Sequence, residues 1–176
     1  TLQADSPVDL AYGLGFVHAQ DRLFQMEGLR RYAGGELADL FGPGEGEMLV
    51  RLDRKIRALG LRQVARRTLG HLPEDQVARL NAYVLGVNAG RRSLAALPFE
   101  FSLLKAKPAP WTPEDSLLVI LALYLDLQGD NPPLESAVGL VHDLLPAPLA
   151  QFLTPTCDPD WDSPLYGDTG TPPDLP

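Results

Sequence analysis

One cysteine, Cys157, and three histidines are the whole supply of soft metal ligands in 176 residues. A single cysteine rules out an internal disulfide. His18, His71 and His142 each stand without a second ligand at zinc spacing, so no cysteine- or histidine-built metal site is expected. Cys157 lies between Thr156 and Asp158, an anionic setting that disfavours the thiolate a nucleophile needs. Basic residues are missing from the whole second part of the chain: none of the 15 Lys and Arg lies beyond Lys107. A net charge of −8 argues against a nucleic-acid partner, whose phosphate backbone needs a basic face. No apolar run reaches the roughly 18–20 residues of a membrane span. No signal-peptide pattern opens the chain, and its first residue is Thr1 rather than Met, so a processed piece or an ordered remnant is expected. Neither a glycine-rich phosphate loop nor a serine in a nucleophile-elbow pattern is found.

What is there is a globular composition, 45% hydrophobic and 22% charged, in a chain of about one domain's length. Its charge is unevenly spread. Residues 1–107 carry a net +3 and residues 108–176 a net −11, and 13 of the 17 prolines lie in the second stretch. Such a stretch ordinarily reads as solvated tail. Yet it contains the run Leu117-Leu118-Val119-Ile120-Leu121-Ala122-Leu123-Tyr124-Leu125, which is predicted to be covered on every side. The chain has little left to cover it, so a larger partner is expected, with cations or basic groups facing the acidic half.

Apolar spacing and helix signals predict a mainly α-helical chain. A first helix is expected over 8 to about 32, with Gly13 and Gly15 as points of close packing. Gly42-Pro43-Gly44 breaks the chain, and a second helix is expected over about 47–69. Its six arginines (51, 54, 57, 62, 66 and 67) are expected to pair with carboxylates rather than bind phosphate. A third helix follows Pro73-Glu74-Asp75 to about 90, and 98–104 forms a short segment. A fourth, to about 127, starts at Thr112-Pro113 as N-cap and first helical residue. A fifth spans about 133–144, ahead of a proline-rich acidic end. His18, on the crowded first helix, is expected to be a hydrogen-bonded structural histidine. Trp111 and Trp161 have the ordinary role of packing, or line a pocket.

Oxygen ligands are the better prospect for chemistry. Asp126, Asp130 and Glu135 bracket a Gly129/Pro132/Pro133 break between two helices, where a hard cation such as calcium finds several oxygens. Alternatively, these acids simply cap the break. Asp158, Asp160 and Asp162 imitate the start of an EF-hand loop, but Ser163 stands where its glycine belongs and Thr169 where its glutamate belongs, so they form a solvated turn.

GLGFVHAQDRLFQMEGLRRYAGGELADLFG (13–42) closely resembles the opening signature of penicillin acylase family alpha chains. LDRKIRALGL (52–61), LNAYVLGVNA (80–89) and PFEFSLLKAKPAPWTPEDSLL (98–118) match the same family in the same order. The resemblance covers residues 3 to about 140. It implies an assembled αββα N-terminal nucleophile hydrolase, of α+β class, in which this chain supplies a helical body (1–145) and a C-terminal segment (146–176) that wraps the partner. In that family a precursor cuts itself into an alpha and a larger beta chain, and the new N-terminal serine of the beta chain attacks an amide with its own α-amine as base. The resemblance thus implies no catalytic residue in this chain, a beta chain as partner, a small acyl-amide substrate, and a periplasmic or secreted location.

It also implies one calcium ion shared with the beta chain. The glutamate that alpha chains lend to it matches Glu135, although Leu134 replaces the serine usually found before it. Counting back from there, Leu125 and Gly129 fall where the alpha chain lines the acyl pocket. Phenylacetyl-selective members carry a bulky aromatic at the second position and an arginine before it. Here these are Gly129 and Gln128, which implies a preference for aliphatic acyl chains. Two activities fit: hydrolysis of the side-chain amide of penicillins, and of acyl-homoserine lactones. Outside the family, a non-catalytic helical interaction subunit needs the same partner but no serine, and a stand-alone calcium module requires metal binding by this chain alone.

Overall fold

The first helix begins where a serine and a proline stand together. In the computed structural model, which describes residues 2–127 and 132–154, the Ser6 hydroxyl accepts the Asp9 N–H at 3.1 Å. Pro7 takes the first helical position, where its missing N–H costs nothing. Helix α1 then runs Pro7–Gly34, close to the expected span. It stops because Gly35 turns left-handed, at φ 68° and ψ 45°. The N–H of Glu36 then reaches the Arg31 carbonyl at 2.8 Å and that of Gly35 the Tyr32 carbonyl at 3.0 Å, so the last carbonyls are satisfied. Arg22 alone leaves helical geometry inside α1, at φ −132° and ψ 22°, and kinks it.

Helix α2 (Leu37–Phe41) is started by a side chain from elsewhere. Buried Asp53 accepts the N–H groups of Leu37 and Ala38 at 2.9 and 2.8 Å, as an N-capping carboxylate does. A single 3-10 turn (Glu45–Glu47) leads into α3 (Met48–Ala58) and α4 (Leu61–Leu69). The expected single helix over 47–69 is therefore two. Gly60 between them adopts φ 66°, a left-handed turn that only glycine takes at little cost. Helices α5 (Glu74–Ser93), α6 (Phe99–Leu103) and α7 (Pro113–Leu127) follow. Beyond the expected fifth helix, α8 (Pro132–Leu144), there is a further one, α9 (Ala147–Leu153), with Pro148 in its first turn. Pro146 and Pro148, which read as tail, stand at the start of this helix. The chain is mainly helical, with no strand among the described residues.

The chain divides between Leu127 and Gln128 into two compact units. In the second, α8 packs on α9 and buries Ala150, while Leu134, Leu140, Leu144, Phe152 and Leu153 stay exposed. The first unit is built on the crossing of α1 and α5. Gly15 meets the backbone at Tyr83 and Val87, Gly86 that at Tyr12 and Phe16, and Gly90 that at Phe16. The helices touch through main chain, as expected at Gly15; Gly13 meets only the Leu2 side chain. Helix α7 lies on α1 and α4. One cluster joins Ala33, Ile56, Leu61, Ala65, Leu118 and Ala122; a second joins Ala19, Met26, Val87 and Trp111.

Within this body α7 is covered along one face only. Leu118 and Ala122 are buried, whereas Ile120, Leu123, Tyr124 and Leu127 are 63%, 59%, 56% and 76% exposed. Helix α1 likewise leaves Leu10, Leu14 and Val17 exposed. An apolar surface of this extent on a folded body marks a place where something else packs.

Candidate functional site

The start of α7 is held by a buried ion cluster. Arg30 on α1 donates from Nη1 to Asp115 Oδ2 at 3.0 Å and to the Pro110 carbonyl at 3.2 Å. Its Nη2 reaches Glu27 and the Ala109 carbonyl, and its guanidinium lies 5.3 Å from the centre of the Trp111 ring. The side chains of Arg30, Asp115 and Glu27 are only 7%, 5% and 2% exposed. Asp115 also accepts the Thr112 N–H and hydroxyl, both at 2.8 Å, so Thr112 starts the helix through the carboxylate three residues on. Arg31 pairs with Glu27 at 2.6 Å, Arg62 with Glu36 at 2.8 Å and Arg66 with Glu114 at 3.1 Å. These groups surround a cavity of about 330 Å³. Its four guanidiniums face four carboxylates, so no charge is left over to recruit an anion. Of the six arginines expected to pair with carboxylates, Arg62 and Arg66 do so, while Arg57 holds the Gly35 carbonyl instead.

Two side-chain pairs have the residue types of a nucleophile with its base, or of a proton relay. His142 Nε2 lies 2.8 Å from Thr154 Oγ1. That hydroxyl, however, gives its own proton to the Ala150 carbonyl at 2.8 Å, so the imidazole donates to it. This is a helix-end cap with the polarity opposite to general base catalysis. His18 Nδ1 lies 3.1 Å from the Tyr83 hydroxyl, with the rings edge to face. Burial pushes the Tyr83 phenol above its ordinary value, which keeps it a neutral hydrogen-bonding group. His18 is the structural histidine expected of it. Trp111 is buried and donates from Nε1 to Ser116 at 2.9 Å, a packing residue with its polar atom satisfied.

The residues singled out for substrate and metal lie apart along the chain. Leu125 sits in the last turns of α7, half-buried, against the cluster around Ile56 and Leu118. Its neighbours Tyr124 and Leu127 point away from that cluster and are exposed. Glu135 is exposed in the first turn of α8, in the second unit. Gly129, Gln128 and Asp130, like Cys157, Asp158, Asp160, Trp161 and Asp162, fall outside the described residues. Among the described residues no group of three metal-ligating side chains comes together. Sequence reasoning missed the ion cluster and the cavity beside His18. Partners 85 residues apart, such as Arg30 and Asp115, leave no local pattern.

Residues 1–161 match the family model for penicillin amidase. The chain belongs to the penicillin amidase family. It is 44% identical over 124 residues to the penicillin acylase 2 proenzyme of Pseudomonas sp. (strain SE83), covering 70% of this chain and 16% of that protein. It is 36% identical over 157 residues to the acyl-homoserine lactone acylase QuiP of Pseudomonas aeruginosa, covering 84% of this chain and 17% of the relative. Its fold is similar to that of a thermostable penicillin G acylase from Alcaligenes faecalis, with a TM-score of 0.73 and 27% identity, over 100% of this chain and 91% of that one. The chain thus spans about a sixth of the length of the relatives it matches.

Proposed function

We propose that this chain is the alpha chain of a two-chain amidohydrolase that cleaves the side-chain amide of penicillins or related acylated amines. The nucleophile is the N-terminal serine of a larger beta chain cut from the same precursor, in the periplasm or outside the cell. One observation carries this most: the chain matches the penicillin amidase family over residues 1–161 yet spans only 16–17% of its relatives. Most of such an enzyme therefore lies elsewhere. The exposed rows on α1 and α7 supply the surface on which that larger chain packs, and the name of one relative marks it as a proenzyme. Within the pocket Leu125 and Gly129 contribute from this side, and the missing ring at Gly129 favours aliphatic acyl groups.

Hydrolysis of acyl-homoserine lactones is the second reading, favoured by the likeness to the QuiP acylase over 84% of this chain. Assembled enzyme assayed side by side on a penicillin with an aliphatic side chain, a phenylacetyl penicillin and a long-chain acyl-homoserine lactone separates the two. Aliphatic penicillin is expected to turn over faster than phenylacetyl penicillin, and a larger chain beginning with serine to be found by N-terminal sequencing. No cleavage of any of the three would sink both readings.

Calcium fits this chain only as a shared ion. Glu135 is exposed, and no ion pair among the described residues engages it; in this reading its carboxylate meets a cation whose other six or so oxygens come from the partner. Bound calcium would act here by fixing the start of α8 against that partner. In the assembled protein, Glu135→Gln is expected to lower calcium content from about one per heterodimer towards zero after dialysis, as read by elemental analysis. Full retention would remove Glu135 from the ligand set.

A further inference from the structure

Beside the kink at Arg22 the body opens a second cavity, of about 380 Å³, between α1, α5 and α7. Met26, Leu29, Trp111 and Val119 form its apolar lining, and His18, Arg22, Gln25 and Tyr83 add polar groups. We propose that this cavity is a socket for an apolar, ring-bearing side chain of the larger partner chain. It is the anchor that sets how the two chains register, an inference that rests on the two-chain reading above.

Four observations favour that occupant. The cavity is far larger than one water needs, and most of its exposed lining is apolar. Val119, in the lining, lies on the strip of α7 that continues through the exposed Ile120, Leu123 and Leu127, so socket and outward face form one surface. Its one guanidinium is at the exposed edge and has a partner outside the lining. Arg22 is paired with Asp21 at 3.3 Å, the Tyr83 phenol stays neutral, and Trp111 has its Nε1 committed to Ser116 and Arg30 over its ring, so it meets the cavity as a fixed wall. A ring seated among such groups and ringed by polar contacts is how interface anchors are built. The chain that would supply it is at hand in principle, since this one spans 16–17% of its relatives.

Gln25 tests the socket without disturbing the core, because it is exposed on this chain. With Cys157, the only native cysteine, changed to serine, Gln25→Cys gives this chain a single thiol. Alkylation by N-ethylmaleimide can then be read as a mass gain on this chain alone, in the assembled protein and in urea. The native rate is expected to be about 100-fold slower, the protection of a site that opens only when a packed surface parts. A second variant, Val119→Phe, fills the cavity from within and is expected to lower the urea concentration at which the chains separate. Alkylation at the unfolded rate, with a larger chain present in the denaturing mass spectrum, would mean a cavity open to solvent and would overturn the socket alone. Protection of the introduced thiol with chain separation unchanged by Val119→Phe would show cover without an anchor and overturn it too. Absence of any larger chain would remove both the socket and the two-chain reading.

Discussion

Gly86→Ala is expected to destabilise the protein by about 3 kcal/mol or more, the upper range for forcing a methyl group into a filled space. A Cβ on Gly86 would overlap the Tyr12 carbonyl oxygen and crowd the Phe16 nitrogen. Both are main-chain atoms, which cannot swing aside as a side chain does, so α1 and α5 would have to separate along the whole crossing. Gly28→Ala, on the same long helix but with nothing within 4 Å of its added Cβ, is the control. It is expected to be neutral or stabilising by up to ~1 kcal/mol through helix propensity. Urea unfolding of the assembled protein, followed by circular dichroism, gives both values. Equal midpoints for the two variants would mean that the crossing is looser than its glycines indicate.

Asp115→Ala is expected to cost about 3–5 kcal/mol, the usual penalty for stripping one partner from a buried pair. Arg30 would keep Glu27 but lose the carboxylate on its other side, and the Thr112 N–H and hydroxyl would lose their acceptor. The exposed pair of Arg66 and Glu114 makes the comparison, since Arg66 is 61% exposed and Arg66→Ala is expected to cost less than ~1 kcal/mol. Replacing the cluster with apolar residues, Glu27→Leu with Arg30→Met and Asp115→Leu, is expected to recover much of the loss, because desolvation of the charges disappears along with their attraction. A single Asp115→Ala as mild as Arg66→Ala would show that water reaches Arg30.

Helix starts were the most legible part of the sequence. Proline with an early acid at Pro73-Glu74-Asp75, and Thr112-Pro113 before the apolar run, have local causes and appear where expected. So does the close packing at Gly15, since glycine inside a helix needs a reason. The break at Gly60 was not legible, because apolar spacing carries on through it and the left-handed turn shows only in φ. Nor was α9, whose prolines read as tail because a helix-starting proline has the same local look as a breaking one. For α7 the difficulty is of another kind. A run apolar on every side carries no period, so nothing in it says that Leu118 and Ala122 face inward, or that Leu125 leans towards the body while Tyr124 and Leu127 point out. The ion cluster and the cavity beside His18 are both made by residues far apart in sequence. They belong to the packing of α7 on α1, which no local pattern encodes. The family resemblance reached further than periodicity could, because its blocks lie on the helices that make this packing.

The glycine crossing also has a history in time. Gly15 and Gly86 lie about seventy residues apart, and at the ~5–20 residues per second of synthesis the ribosome needs roughly 4–14 s to pass from one to the other. For more than half of that interval the residues of α5 are not yet made while those of α1 all are. Its flattened side, where glycine and alanine stand in for bulky side chains, offers little for a passing contact to grip. Its opposite side carries Leu10, Leu14 and Val17 into solution. The feature that lets the finished helices lie so close leaves the newborn one with little to hold but strangers, and it makes the arrival of α5 the event that the nascent chain waits for.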